Sequence, residues 1–289
     1  MAAGTEEKQP VPATQKDAKP TTSVPKDKKE LKILMLHGYT QSGPLFSAKT
    51  KALHKLLLKA LPSDLHPTLI FPSGPHRLRA SDIPGYVPAG GDESLDGDED
   101  ELDNWAWFRK DEASGTYRGL AEGMQRIAQT IRDAGGVDGV LGFSQGGCMA
   151  ALVTAALEHP YRSPSPSPST NSSTTPSSHP STSPDHESWL TSLRAANSSR
   201  PLRFSVIYSG FFAPPADLQW LYTPNITTPT LHFLGSLDTV VEEERSQALI
   251  RRCVDPVVLT HPGGHYVPVA KAWVLPLADW VRRRCVEEN

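Results

Sequence analysis

The chain has 289 residues, with 29 Lys plus Arg against 32 Asp plus Glu and a formal net charge of −3. That near-neutral balance, with no long basic run, excludes nucleic acid as the main partner, and the longest apolar runs are too short to span a bilayer. The hydrophobic fraction is low at 38% and Pro is high at 27, but the deficit sits in two stretches, which leaves roughly 230 residues of ordinary composition for one core.

Residues 1–30 alternate Lys, Asp, Glu and Pro without hydrophobic period and read as a disordered extension. They open with acids and Pro where a signal peptide needs an apolar stretch, so the expected compartment is the cytoplasm, with the nucleus also open. Residues 31–36 are a strand-length apolar run that ends at His37-Gly38. Leu53, Leu56, Leu57 and Leu61 then recur at helical spacing over 49–61, before Pro62. Residues 68–71 are a second short strand. Residues 72–103 are a long irregular excursion whose end, 92–103, holds eight acids in twelve residues and no base. Such a run is expected to be a solvated loop. Leu120, Met124, Ile127 and Ile131 mark one face of a helix over 117–132. A buried strand over 139–143 leads into an Ala-rich helix over 147–159.

Residues 162–187 are nearly all Ser, Thr and Pro and are expected to be a disordered insertion. Strands at 204–208, 230–234 and 257–260, with helices at 242–252 and 267–284, complete the chain. This rhythm predicts an α/β fold, a mostly parallel sheet of about six strands with helices on both faces. One domain over 31–287 carries the insertion, because a loop between a helix and the next strand lengthens at small entropic cost. Cys148, Cys253 and Cys285 are widely spaced and lack a CxxC, so neither a disulfide framework nor a zinc site is expected.

The sharpest motif is Gly142-Phe143-Ser144-Gln145-Gly146-Gly147, between the apolar strand and the small-residue helix. G-x-S-x-G in that setting puts a Ser on a strained strand-to-helix turn with its hydroxyl exposed. A Ser hydroxyl needs a base, and the base needs an orienting acid. Asp238 follows the strand at 230–234, and His265 lies 27 residues further on, after one helix and one strand. Both therefore return to the same sheet edge as Ser144. His261 competes as the base, but Gly263-Gly264 gives the loop carrying His265 the freedom to reach the Ser. Residues 37–43, HGYTQSG, follow the first strand, where backbone N–H groups can hold an oxyanion. The Tyr39 and Gln145 amides are the candidates. The loop has no G-x-x-x-x-G-K-S/T or G-x-G-x-x-G, so no phosphate or dinucleotide cradle is expected.

Together HGYTQSG, NWAWF at 104–108, GFSQGG, YSGFF at 208–212, LHFLGSLDTVV and HPGGHYVP resemble the fungal serine hydrolase family. This α/β-hydrolase group includes the vertebrate ovarian-cancer-associated esterase and fungal polyketide-releasing thioesterases. The resemblance covers 31–285 apart from the insertion and places the family's nucleophile, acid and base on Ser144, Asp238 and His265. It implies hydrolysis of carboxylic esters or thioesters through an acyl-enzyme, with no metal and no organic cofactor. The expected partner is a small-molecule acyl ester or thioester. A thioesterase releasing a polyketide or fatty acyl product from an acyl-carrier protein is the alternative, and a ligand-binding fold without catalysis a remote one.

Trp105, Trp107, Phe211 and Phe212 are the aromatics expected to line an acyl pocket. Alternation in Trp-Ala-Trp puts both indoles on one side. The loops at 38–43 and 209–213 carry no Arg or Lys, so an apolar pocket is expected. With about 0.8 kcal/mol per buried methylene, activity should rise from acetyl to medium- and long-chain acyl groups.

Overall fold

The computed structural model describes Pro25 and residues 27–79, 82–83, 103–163 and 184–286. Most of the N-terminal extension, nearly all of the acidic run and residues 164–183 of the insertion lie outside the described residues.

In chain order the elements are β1 (Lys29–Leu36), α1 (Gly43–Lys49), α2 (Lys51–Ala60), β2 (Leu65–Ile70), β3 (His76–Arg77), β4 (Trp105–Ala106), β5 (Arg109–Lys110), β6 (Tyr117–Arg118), α3 (Leu120–Asp133), β7 (Gly139–Phe143), α4 (Gln145–Leu157), α5 (Pro184–Ala196), β8 (Phe204–Tyr208), β9 (Thr230–Gly235), α6 (Glu243–Ile250), β10 (Val257–His261) and α7 (Lys271–Val286). A 3₁₀ helix spans Ala216–Tyr222.

Six strands form one sheet in the order β10-β9-β8-β7-β1-β2, and every pairing is parallel. A parallel sheet is stable only when both faces are covered, and β1 shows this in its side chains. Leu31, Ile33 and Met35 enter one core and Leu34 and Leu36 the other, the two-residue period of a strand. Phe46, Leu53 and Leu57 of α1 and α2 join Val274 and Leu277 of α7 on the first face. Met124 and Ile127 of α3, the apolar residues of α4, and Leu193 of α5 cover the second. From β1 the chain moves outward to β2, whereas all later sheet strands lie on the other side. The helices after β1 and β7 therefore go to opposite faces, and a crevice opens between those two strands at the carboxyl edge.

Helix α5 departs from the expectation that disorder extends through residue 187. It begins at Pro184 and packs on α3, burying Trp189, Leu190 and Leu193. Its apolar spacing is helical, but the Ser/Thr/Pro text immediately before it masks the N-terminal boundary. Arg162, at the other end of the same tract, is also buried. Between them, residues 164–183 contain no Phe, Trp, Tyr, Leu, Ile, Val or Met, so they have almost no apolar surface to offset ordering entropy. Replacing 164–183 with a Gly/Ser linker of about ten residues should leave Tm within a few degrees of the full chain by differential scanning fluorimetry. A loss of about 10 °C or more would mean that the tract packs on the domain.

Candidate active site

Three loops at the carboxyl edge of the sheet converge. Ser144 follows β7 with φ 55° and ψ −116°, a conformation that costs on the order of 1–3 kcal/mol for a non-glycine residue. The turn is held from both sides. The Ser144 amide donates to the Tyr208 carbonyl at 2.9 Å, and the Ser144 carbonyl accepts from the Cys148 amide at 3.1 Å. Glycine is required at two positions beside it. A Cβ on Gly146 would collide with the Leu36 carbonyl, and one on Gly142 with the Gly146 carbonyl. The start of α4 is thereby seated directly on β1.

Asp238 and His265 lie on the loops after β9 and β10. Backbone hydrogen bonds lace these loops together, from the Ser236 amide to His261 at 2.9 Å and from Leu237 to Gly263 at 3.0 Å. The His265 Nδ1–H donates to Asp238 Oδ2 at 2.8 Å, which leaves Nε2, 2.9 Å from Ser144 Oγ, free to accept. The tautomer follows because an ionised carboxylate can only accept. Burial pushes the Asp238 carboxyl up, but hydrogen bonds led by His265 and the Val241 and Val240 amides outweigh it and hold the group below its ordinary value. Asp238, His265 and Ser144 thus form one continuous chain of hydrogen bonds.

His261 takes no part in it. Its ring is buried between Tyr266 and Trp273, at 4.9 and 5.8 Å between centroids, and its Nδ1 has no hydrogen-bond partner among the described residues. Burial lowers its pKa.

Tyr39 and Gln145 line the same cleft as Ser144, and neither backbone amide donates to an acceptor among the described residues. The Gln145 N–H is the first of α4, where the helix dipole favours a negative charge. His37 shapes the loop that carries Tyr39. The Gly74 amide donates to His37 Nε2 at 2.9 Å, so Nδ1–H donates to the Gly38 carbonyl at 2.7 Å. Burial brings the His37 pKa down to about 4, against the opposing pull of the Gly38 carbonyl and Asp103. His232, buried in β9, is likewise lowered to about 4. In the unfolded chain both take a proton near pH 6.5, so the unfolded state binds more protons between pH 6.5 and 4, and folding stability falls as pH falls through that window. Each contributes a loss of up to about 3 kcal/mol at pH 4. Urea midpoints at pH 7 and 4.5 should show a smaller drop in His232→Gln than in wild type, by about 2 kcal/mol. A flat wild-type profile would refute the buried neutral rings.

The four aromatic candidates separate. Trp107 is fully buried, packs against the His37 ring at 4.9 Å between centroids and donates from its indole to the His37 carbonyl at 2.9 Å. Trp105 turns away and donates to Asp103 at 2.8 Å. The two indoles do not share a side because the extended backbone ends at Ala106. There the Gln145 carboxamide captures the next residues, accepting from the Trp107 amide at 2.8 Å and donating to the Phe108 carbonyl at 2.9 Å. Phe212 packs on Tyr222 at 4.8 Å. Of the four, only Phe211 lines the cleft beside Ser144.

That cleft, of about 460 Å³, is also lined by Phe108, Tyr117 and Val241. The expectation of a pocket without fixed charge fails here, since Arg109, Lys110, Arg118 and Arg245 line it too. They come from the β5–β6 hairpin and from α6, elements distant in sequence from the loops on which the expectation rested.

The comparisons agree with this architecture. The chain is 30% identical over 263 residues to esterase OVCA2 of Danio rerio, covering 88% of this chain and 97% of that protein. It is 31% identical over 253 residues to a Schizosaccharomyces pombe protein named dihydrofolate reductase. That match covers 88% of this chain but 47% of the relative, so the chain spans about half that protein's length. Among solved structures, Zea mays acyl-protein thioesterase 2 superposes with a TM-score of 0.50 at 17% identity, over 92% of this chain and 98% of that one. Esterase PE8 does so with 0.50 at 20%, over 89% and 93%. These two share the fold, an α/β-hydrolase fold. The family description "Serine hydrolase (FSH1)" matches residues 26–277, and the chain belongs to that family of serine hydrolases.

Proposed function

We propose that the protein hydrolyses carboxylic esters or thioesters through an acyl-enzyme formed on Ser144. The observation that carries this is the hydrogen-bond chain from Asp238 through His265 to Ser144. His265 Nε2 takes the Ser144 proton as Oγ bonds to the acyl carbon. The carbonyl oxygen becomes an anion between the Tyr39 and Gln145 amides. As the tetrahedral adduct collapses, the bond to the alcohol or thiol breaks and His265 protonates the leaving group. Water then attacks the acyl-enzyme by the same route in reverse. Asp238 holds the imidazole in the productive tautomer and stabilises its charged form. The family and the full-length similarity to an esterase support the ester arm.

Phe108, Tyr117 and Phe211 offer apolar surface for an acyl stem, so kcat/KM should rise from acetyl until the stem has covered them. An intact machinery favours catalysis over a ligand-binding role. The test is labelling with a fluorophosphonate probe together with turnover of matched p-nitrophenyl esters and acyl thioesters. Wild type should label and turn over, and Ser144→Ala should do neither. Persistent labelling of Ser144→Ala would move the nucleophile elsewhere and sink the proposal.

A further inference from the structure

We infer that the acyl group of the substrate ends in a carboxylate, and that Arg245 selects it. The inference rests on the serine-hydrolase reading and names the substrate class of that same site.

The cleft is lined by Ser144, Gln145 and Tyr39 but not by His265. In this chemistry the leaving group departs on the side of the imidazole that protonates it. A cavity reached by the nucleophile and the oxyanion amides, and not by the imidazole, is therefore on the acyl side. Its apolar surface is Phe108 stacked on Tyr117, with centroids 4.0 Å apart, together with Phe211 and Val241. The charged lining is Arg109, Lys110, Arg118 and Arg245 together with the carboxylates Asp82 and Glu112.

Three of the four cations have a carboxylate neighbour among the described residues. Arg109 pairs with Asp82 at 3.0 Å, Lys110 with Glu112 at 2.8 Å and Arg118 with Asp111 at 3.3 Å. Arg245 has no carboxylate partner among the described residues, and its guanidinium lies over the Phe211 ring, 4.2 Å from the centroid. Stacking on an aromatic face leaves guanidinium N–H donors free in the fork that matches a carboxylate. The backbone behind it is pinned as well. The Arg245 carbonyl accepts from the Phe212 amide at 3.1 Å, and the neighbouring Ser246 hydroxyl donates to Gly210 at 2.8 Å. A cation with no carboxylate partner among the described residues, stacked on the aromatic wall of the cleft, fits an acyl chain with an apolar stem and a singly charged end. A phosphate dianion would draw on a second cation, and the others are already paired.

The experiment compares kcat/KM for matched p-nitrophenyl esters: hexanoate against hydrogen adipate, and octanoate against hydrogen suberate. Wild type should favour the carboxylate ester of at least one pair by about fivefold to tenfold. That preference should shrink as NaCl rises, because the contact is screened. In Arg245→Gln the ratio should fall to one or below, and Arg245→Lys should restore part of it. A wild-type ratio at or below one in both pairs, or a ratio that Arg245→Gln leaves intact, overturns the inference while the hydrolase reading stands. Absence of turnover on every ester, with Ser144 unlabelled by the fluorophosphonate, overturns both. The salt dependence of the wild-type ratio reads the same contact without any variant.

Discussion

His265→Ala should lower kcat by about 10⁴-fold or more, as much as Ser144→Ala, because members of such a chain act as a unit. Removing the imidazole leaves Ser144 Oγ with no acceptor 2.9 Å away to take its proton. What survives is the residual rate that the proposed oxyanion amides, Tyr39 and Gln145, and substrate binding would supply. His261→Ala is the informative control. Its ring is a buried packing residue four positions away, so its loss should appear as about 1–3 kcal/mol in a urea titration and only marginally in kcat. Steady-state kinetics on one p-nitrophenyl ester, with probe labelling of each variant, checks both. Comparable losses in kcat for the two histidines would mean that the base is misassigned.

The second large effect lies far from the chemistry, at the end of α4. Glu158 and Arg162 form an ion pair at 2.5 Å, both side chains almost fully buried. Each is also fully engaged elsewhere. Glu158 accepts from the amides of Thr227 and Thr228, and Arg162 donates to the carbonyls of Ala155 at 2.7 Å and Asn225 at 3.0 Å. Deleting one partner strands a buried charge and several backbone groups, so Glu158→Ala or Arg162→Ala should destabilise the fold by about 3–5 kcal/mol. The double substitution Glu158→Met/Arg162→Met should destabilise by less than the sum of the single changes. Urea denaturation of the three variants decides it, and single losses below about 1 kcal/mol would show that the pair is relaxed by solvent.

What the sequence made legible was local, and what it hid was assembled from distant pieces. The strands at 31–36 and 139–143 announce themselves because a parallel sheet buries both faces and needs uninterrupted apolar runs. Ser144 is legible for a related reason, since the small residues at Gly142 and Gly146 are imposed by backbone contact with neighbours already implied by the strand. Arg245 carries no such signal. Nothing in the run EEERSQAL marks its fourth residue as facing a cleft, and that placement depends on how α6 returns over the loop at 209–212. Trp107 misleads in the opposite direction. Its spacing from Trp105 suggests a strand, but the Gln145 side chain diverts the backbone after Ala106. Helix α5 could have been found from Trp189, Leu190, Leu193 and Ala196, had the tract before it not drawn the boundary too late.

The anchoring of the segment around 164–183 also bears on engineering. Arg162 fixes one flank through Glu158 and the carbonyls of Ala155, Pro224 and Asn225, and Trp189 and Leu193 fix the other in the core. Each flank is thus held by its own contacts and does not depend on the length of chain between them. Doubling such a span adds only about 0.6 kcal/mol of closure entropy. A fluorescent protein with adjoining termini could be spliced there, at the opposite end of α4 from Ser144, so that activity and position are read from one molecule.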